Sequence, residues 1–254
     1  MPKLVSFVGA KGGTLKSASV AAISHVVAAA GVRVMMLDVD PQGDLTRRSG
    51  FSRLPEPLEA GPVNVRFEGQ PTMDLQLLRG GRSLEGESMP QVRQHVRRAL
   101  DSGAQLIVAD TPPALGILTT AVIEASDLII VPSMPGIESL ERITDVLETV
   151  QRVNSACPVV VLITMANVQS NLFHLMKEQV DHAYPGRRLS VVIPIEMAAG
   201  EAGFFRHPVT VTAPRSRAAL AYCELAVEIL RRTGVQAAAA TPAADPMTAA
   251  GEVA

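Results

Sequence analysis

LVSFVGAKGGTLKSASVAA, residues 4–22, is the stretch from which the architecture of this chain follows. Its first five residues form a short apolar run that is typical of a buried strand. A glycine-containing turn comes next, and the alanine-rich residues 17–30 predict a helix that ends at Gly31. In a strand–loop–helix unit, backbone N–H groups and the positive end of the helix face the same point, which favours a bound anion. The stretch therefore predicts a phosphate-binding loop.

The rest of the chain repeats the alternation of strand and helix. Aliphatic runs bounded by turn residues predict further strands at residues 32–37, 106–109, 128–131 and 159–163. Strands that alternate with helices imply right-handed crossovers and a mostly parallel twisted sheet with helices on both faces. The predicted fold class is α/β in a single domain. Helices are predicted at residues 89–100, 137–153, 171–182 and 215–232.

Three segments bear on the domain limits. The last predicted helix has a candidate apolar face formed by Leu220, Ala221, Leu225, Val227 and Leu230. Residues 51–72 contain four prolines and two glycines and are expected to form an irregular connection. Residues 237–254 are rich in alanine and proline and predict a disordered tail. The expected folded domain therefore spans residues 1–236.

Composition and charge limit the partners that the chain can have. The formal net charge is −2, so nucleic acid or anionic lipid would have to bind at a local patch rather than through the overall field. A signal-peptide pattern and a run of about 18 apolar residues are both missing, which predicts a cytoplasmic protein. The two cysteines, Cys157 and Cys223, have no metal-ligand spacing and are expected to be buried.

The loop itself supplies candidate ligands for a nucleotide. Gly12 and Gly13 lack a Cβ, so backbone N–H groups can come close to phosphate oxygens. Lys16 is placed to contact the β- and γ-phosphates, and the Ser17 hydroxyl is a candidate Mg²⁺ ligand. The alternative is a strand-to-helix turn that carries a surface lysine. The residues predicted to contact the nucleotide are Gly12, Gly13, Thr14, Leu15, Lys16, Ser17 and Ala18.

The pattern KGGxxK[ST] in this loop resembles the deviant Walker A motif of the ParA/MinD family of ATPases. The likeness is greatest to the Soj-like partitioning ATPases without an N-terminal helix-turn-helix. It implies a P-loop NTPase-type fold with ATP and Mg²⁺ as ligands. Lys11 matches the signature lysine, which in this family reaches across a dimer interface to the phosphates of the partner subunit. Ala10 and Leu15 stand at the two glycine positions of GxxxxGK[ST], and Leu15 bears on the nucleotide affinity and the hydrolysis rate.

Three aspartates follow two of the predicted strands, where ligands bind in open α/β sheets. DVDPQGD, residues 38–44, resembles the Walker A′ segment of the family. This resemblance implies that Asp40 orients the attacking water and that Asp38 supports Mg²⁺ and its water shell. ADTPP, residues 109–113, resembles the Walker B strand end, which implies that Asp110 and Ser17 hold the metal. Taken singly, each aspartate could instead cap a turn or a helix.

The resemblance extends over approximately residues 3–232. VVIP, residues 191–194, and APRSRAALAYCELAVEIL, residues 213–230, match the C-terminal region of the family. This implies that Pro194 flanks the adenine. Ile195 and Glu196 stand where many relatives have Arg-Asn, so a side-chain contact to the adenine there is not implied.

The resemblance implies a ParA-like ATPase in chromosome or plasmid partitioning, with Lys11, Lys16 and Asp40 as catalytic residues. The expected active form is an ATP-bound homodimer on non-specific DNA, associated with the nucleoid and stimulated by a ParB-like or cargo-adaptor partner. The expected DNA-binding residues are Arg206, Arg215 and Arg217, with Arg187 and Arg188 second; ordinary solvated arginines are the alternative. No membrane partner is expected, because the tail lacks a basic amphipathic helix.

Two other functions remain open at this point. One is a slow or inactive nucleotide switch that positions a protein cargo. The other is a biosynthetic amide-forming ligase on the same scaffold, for which the sequence locates no substrate pocket.

Overall fold

One sheet of eight strands organises the molecule, and its strand order is β3-β4-β2-β5-β1-β6-β7-β8. The structure is a computed structural model and describes residues 1–51, 61–136 and 138–237. The short strand β3 runs antiparallel to β4, and the other pairings are parallel. The strands are β1 (Lys3–Phe7), β2 (Val34–Asp38), β3 (Val63–Asn64), β4 (Leu75–Leu78), β5 (Leu106–Asp110), β6 (Leu128–Ser133), β7 (Val159–Ala166) and β8 (Arg188–Pro194).

Helices connect the strands and cover the sheet. Among the described residues, none of these helices is long and apolar enough to cross a membrane. The helices are α1 (Lys16–Ala29), α2 (Asp44–Arg48), α3 (Met89–Leu100), α4 (Ile117–Ala125), α5 (Ser139–Val153), α6 (Asn171–Ala183), α7 (Met197–Phe204), α8 (Val209–Thr212) and α9 (Arg217–Thr233).

The core has two layers because alternate residues of a strand point to opposite faces. Val5 and Phe7 of β1 pack in a cluster with α1 and α9, whereas Leu4 packs in a cluster with α3 and α4 on the other face. A third cluster lies between β6 and β7 and the helices α5 and α6. The predicted α/β fold, mostly parallel with helices on both faces, is confirmed.

All five predicted strands are present, and the predicted bounds of α3 agree with the structure. Residues 51–72 are not wholly irregular, because β3 lies within them and pairs with β4. Residues 52–60 of that connection, residue 137 of the predicted α5 and residues 238–254 of the predicted tail lie outside the described residues. The strands β4 and β8 and four helices, α2, α4, α7 and α8, were not predicted from the sequence.

Two predictions about burial were wrong. Leu220 and Val227 of the predicted apolar face of α9 are exposed, whereas Ala221 and Leu225 of that face are buried. The helix packs through the side that also carries Ala218 and Tyr222. Small alanines on that side allow α9 to lie close to α1, beside the buried Leu225 and Ile229. Cys157 is buried as expected, but Cys223 is exposed on α9.

Candidate functional site

The predicted phosphate loop lies between β1 and α1, at the carboxyl end of the central strands. Gly13 has a positive φ of 79°, which glycine adopts at no steric cost. A Cβ built on Gly12 or Gly13 would meet no atom within 4 Å, so the space above the loop is open to a ligand. The Thr164 hydroxyl at the end of β7 donates to the carbonyl of Thr14 at 3.2 Å and holds the far side of the loop.

Leu15 is the residue before α1, and its backbone is left-handed, with a φ of 63°. For a residue with a Cβ this conformation costs about 1–2 kcal/mol. The Leu15 side chain is half-buried against the core cluster that contains α1 and α9. The glycine-like geometry of this loop position is therefore present although the residue is leucine.

Lys16 is buried, and its Nζ donates to the carbonyl of Lys11 at 3.1 Å. Its side chain thus spans the loop. Burial lowers the pKa of Lys16, and the negative charges of Asp110, Asp40 and Asp44 partly oppose this shift. An ammonium group that the loop and acidic side chains surround is suited to bind phosphate oxygens.

Asp38 and Asp110 are register partners on the adjacent parallel strands β2 and β5, and both are fully buried. Neither carboxylate oxygen of Asp110 has a hydrogen-bond partner of normal geometry among the described residues. Burial and the charge of Asp38 raise the pKa of Asp110 well above its usual range, while the nearby Ser17 hydroxyl and Lys16 lower it. A bound cation would stabilise the charged form of this buried carboxylate.

These donors fit Mg²⁺. Magnesium commonly binds through one or two protein oxygens, with substrate phosphates and water completing its coordination. Ser17 and Asp110 offer such oxygens. Within the described parts of the chain, no group of three or more His, Cys, Asp or Glu side chains forms a metal cage of its own. The site therefore fits a metal that arrives with a nucleotide.

Asp38 is held by hydrogen bonds that the sequence did not suggest. Its Oδ1 accepts from the backbone N–H of Asp40 at 3.0 Å. Its Oδ2 accepts from the N–H and the hydroxyl of Thr46 at 2.9 and 2.7 Å. Burial raises the pKa of Asp38 to about 6, and these hydrogen bonds oppose the shift. Asp40 is also buried, and its Oδ1 accepts from the N–H of Gln42 at 2.8 Å.

Arg142 of α5 also contacts the loop. Its Nη1 donates to the carbonyl of Ala10 at 3.2 Å, and its Nη2 donates to Glu138 at 2.8 Å. Arg142 and then Lys11 hold the pKa of Glu138 below its usual range. A Glu/Arg pair four residues apart is common on helix surfaces, so no sequence signal marked Arg142. Loop residues and residues after β6 surround a cavity of about 390 Å³, whose lining includes Lys11, Pro132, Met134 and Arg142.

No contact among the described residues joins the C-terminal site residues to the loop. Pro194 is half-buried at the end of β8. Glu196 accepts a hydrogen bond from the N–H of Ala218 in the first turn of α9 at 2.8 Å, and its carboxylate lies 3.7 Å from the Arg217 guanidinium. Arg206, Arg215 and Arg217 are exposed. Arg188, a secondary candidate for DNA, is paired with Asp181 through two hydrogen bonds.

The predicted roles are thus unequally supported by geometry. The structure brings Lys16, Ser17, Asp38, Asp40 and Asp110 to one edge of the sheet. It does not bring Pro194 or the three arginines to that group by any described contact. The roles of all these residues stay predictions.

Comparisons with known proteins agree with this arrangement. Over 251 residues the chain is 29% identical to the sporulation initiation inhibitor protein Soj of Bacillus subtilis, covering 90% of this chain and 98% of that protein. It is 27% identical over 251 residues to the chromosome-partitioning ATPase Soj of Treponema pallidum, covering 92% and 99%. The septum site-determining protein MinD of Pyrococcus horikoshii, solved with Mg-ADP, has the same fold, with a TM-score of 0.75 at 20% identity over 90% of this chain and 96% of that one.

The model of a nucleotide-binding family covers most of the chain. It is described as the CobQ/CobB/MinD/ParA nucleotide binding domain, and it matches residues 5–209. That range contains the phosphate loop and all three strand-end aspartates. The chain therefore belongs to the CobQ/CobB/MinD/ParA family of nucleotide-binding domains.

Proposed function

We propose that this chain is a ParA-like partitioning ATPase that binds ATP with Mg²⁺, forms a homodimer and hydrolyses the ATP. The observation that carries the proposal is the convergence of two buried groups beside an open glycine loop. These groups are Lys16 and Asp110, whose carboxylate has no hydrogen-bond partner of normal geometry among the described residues. The names of the Soj and ParA relatives favour partitioning over the other activities of the family. Mg-ADP in the P. horikoshii MinD structure supports the choice of ligand.

Each residue near the loop has a distinct task in this proposal. The loop N–H groups and Lys16 bind the phosphates and stabilise charge that develops on them during transfer. Asp40 orients the attacking water, and Ser17, Asp38 and Asp110 hold the metal and its water shell. Mg²⁺, when bound, supplies positive charge to the phosphate oxygens.

Lys11 is exposed on the open side of the loop, where a second subunit can reach it. In the proposed dimer it contacts the phosphates bound by the partner. The carbonyl of Lys11 accepts from Lys16 of its own chain, so displacement of that bond by phosphate couples nucleotide binding to the placement of Lys11.

The proposed dimer binds non-specific DNA through Arg206, Arg215 and Arg217. Phosphate contacts need only exposed positive side chains and carry no sequence information. A ParB-like or cargo-adaptor protein is the proposed activator of hydrolysis, and DNA binding places the ATP-bound form on the nucleoid in the cytoplasm. The rate without an activator is expected to be slow.

Replacing Lys16 tests the proposal. Lys16→Ala removes the phosphate-binding ammonium, so we expect it to abolish ATP-dependent dimerisation, measured by light scattering with MgATP and with no nucleotide. Lys177→Ala, on the exposed face of α6, is the matched control and should dimerise normally. Normal ATP-dependent dimers in Lys16→Ala would overturn the assignment.

Phosphate release with DNA and an activator present separates the ATPase from an inactive switch. An ATPase releases phosphate over many turnovers, and this release stops in Asp40→Ala. An inactive switch binds ATP and dimerises but releases no phosphate.

A further inference from the structure

Thr46 stands at the centre of the hydrogen bonds that fix Asp38. It is 1% exposed and lies in the short helix α2, directly beside the end of β2. Both its backbone N–H and its hydroxyl donate to the same oxygen, Oδ2 of Asp38, at 2.9 and 2.7 Å. The Asp38 carboxylate therefore cannot rotate without breaking two short hydrogen bonds at once.

The hydroxyl of Thr46 has a second partner, which fixes its direction. The backbone N–H of Gly80, just after β4, donates to Thr46 Oγ1 at 3.0 Å. Since that N–H can only donate, the hydroxyl proton is left for Asp38. A side chain at position 80 would not fit, because a Cβ on Gly80 would lie 2.5 Å from both Cγ and Oδ1 of Asp38. The segments after β2 and β4 are thus packed directly around this carboxylate.

The other oxygen of Asp38 leads to Asp40. Oδ1 of Asp38 accepts from the N–H of Asp40 at 3.0 Å, so the position of Asp38 sets the backbone from which the Asp40 side chain projects. Asp38 also faces Asp110 across the β2–β5 register. The Thr46 hydroxyl therefore helps to fix a carboxylate that accepts from the backbone of Asp40 and lies opposite the carboxylate of Asp110.

We infer that Thr46 is a positioning residue, which holds Asp38, and through it Asp40, in the orientation that the magnesium-bound nucleotide requires. This inference rests on the proposed ATPase function. In this role Thr46 acts through Asp38 and need not contact the nucleotide or the metal. A valine in its place has nearly the same shape but leaves Asp38 without one donor and the Gly80 N–H without its acceptor.

The experiment compares Thr46→Val with Thr46→Ser, which retains the hydroxyl. Thr149→Val is the control, since Thr149 in α5 is also buried, at 5% exposed, and its hydroxyl donates to the Asp145 carbonyl away from the site. For each protein, binding of a fluorescent ADP analogue is measured with Mg²⁺ and with EDTA, and kcat and KM are measured for MgATP. Thermal unfolding shows that each variant is folded.

A hydrogen bond to a charged group is worth enough to change an equilibrium about tenfold or more. We therefore expect that Mg²⁺ increases the nucleotide affinity of Thr46→Val about tenfold less than it increases that of wild type. The kcat of Thr46→Val should fall about tenfold, whereas its nucleotide affinity in EDTA should stay close to that of wild type. Thr46→Ser should recover most of both losses. Gly80→Ala, which pushes on Asp38 from the other side, should show the same selective loss while it remains folded.

Three results would overturn the inference while wild-type protein still hydrolyses ATP. One is wild-type behaviour of Thr46→Val. Another is an equal loss of binding with and without Mg²⁺, which indicates a structural role alone, and the third is a failure of Thr46→Ser to recover. If wild-type protein neither binds nor hydrolyses ATP, the proposed function has failed instead, and that result is distinct from the other three.

Discussion

Leu15 holds a left-handed backbone at the point where the phosphate loop enters α1. A Cβ in this conformation clashes with the neighbouring carbonyl, whereas glycine avoids the clash. The half-buried Leu15 side chain offsets part of this cost by packing on the core. The loop thus keeps the backbone conformation that a glycine would allow. The packing of the Leu15 side chain stabilises the fold, while its left-handed backbone is strained.

The opposing effects at Leu15 give an unusual order of stability. We expect Leu15→Gly to be more stable than Leu15→Ala by about 1 kcal/mol, because both lose the leucine packing but only glycine relieves the strain. Urea unfolding measures the difference. The control pair is Glu178→Ala and Glu178→Gly, at an exposed position inside α6. There the usual helix preference should make the alanine variant more stable than the glycine variant by about 1 kcal/mol. The same order at both positions would contradict the left-handed assignment.

The residues proposed to bind phosphate and metal were the easiest to place from the sequence. Lys16, Ser17 and the strand-end aspartates have local patterns that specify both their chemistry and their place at the edge of the sheet. Thr46, Gly80 and Arg142 were missed because their roles depend on contacts between segments far apart in sequence. A threonine in a five-residue helix has no pattern that indicates which carboxylate it will meet.

His95 is buried in α3, and neither of its ring nitrogens has a hydrogen-bond partner among the described residues. Burial, with a smaller contribution from the charge of Arg98, lowers the pKa of His95 to about 4. The unfolded chain binds a proton at His95 near pH 6.5, but the folded protein does not until the pH falls much further. This residue therefore makes folding less favourable as the pH falls from about 6.5 toward 4.

Replacing His95 with leucine should remove that part of the pH dependence. Between about pH 7.5 and pH 5, linkage predicts that wild type loses about 2 kcal/mol more unfolding free energy than His95→Leu. The measurement is urea unfolding at both pH values. His182→Gln, at an exposed position near the end of α6, should match wild type. Equal losses of unfolding free energy in wild type and His95→Leu would mean that the buried carboxylates, not His95, set the pH dependence of stability.

The elements that were missed share a physical cause. The short β4 and the mixed sequence of β8 lack the long aliphatic runs that marked the central strands, and their place in the sheet depends on neighbouring strands. The helices α2 and α8 are too short to show a helical period. In α9 the period was visible and Ala221 and Leu225 are buried as predicted, but alanines and Tyr222 form much of the buried side. Hydrophobicity alone therefore assigned Leu220 and Val227 to the wrong face.

At the scale of the whole molecule, β1 lies between β5 and β6, while β2 lies on the far side of β5. The connection from β1 runs to β2 on one side, whereas the connection from β5 crosses β1 to β6 on the other. The strand order therefore reverses at this point, which is where open α/β sheets bind ligands. The loop after β1 and the aspartates at the ends of β2 and β5 converge there for that reason. Recognising successive strand ends was enough to predict this convergence, although strand order could not be read from the sequence.

A net charge of −2 means that DNA affinity must come from a local patch and must fall steeply as salt rises. Arg217 is the informative member of the proposed patch, because Glu196 lies 3.7 Å from its guanidinium and competes with phosphate. The pair is exposed on the Arg217 side, so the competition is worth no more than about 1 kcal/mol. Glu196 also caps α9 through the N–H of Ala218, an interaction that glutamine can keep.

We therefore expect Glu196→Gln to bind duplex DNA about two- to threefold more tightly and Arg217→Ala to bind more weakly, with a salt slope shallower by about one. Fluorescence anisotropy with MgATP over a salt series measures both. Glu224→Gln, which removes the same charge from an exposed site on α9, controls for net charge. Because the gain requires Arg217, it should vanish in the double variant Glu196→Gln/Arg217→Ala. A gain that persists there, or that Glu224→Gln equals, would assign the effect to overall charge and remove Arg217 from the DNA surface.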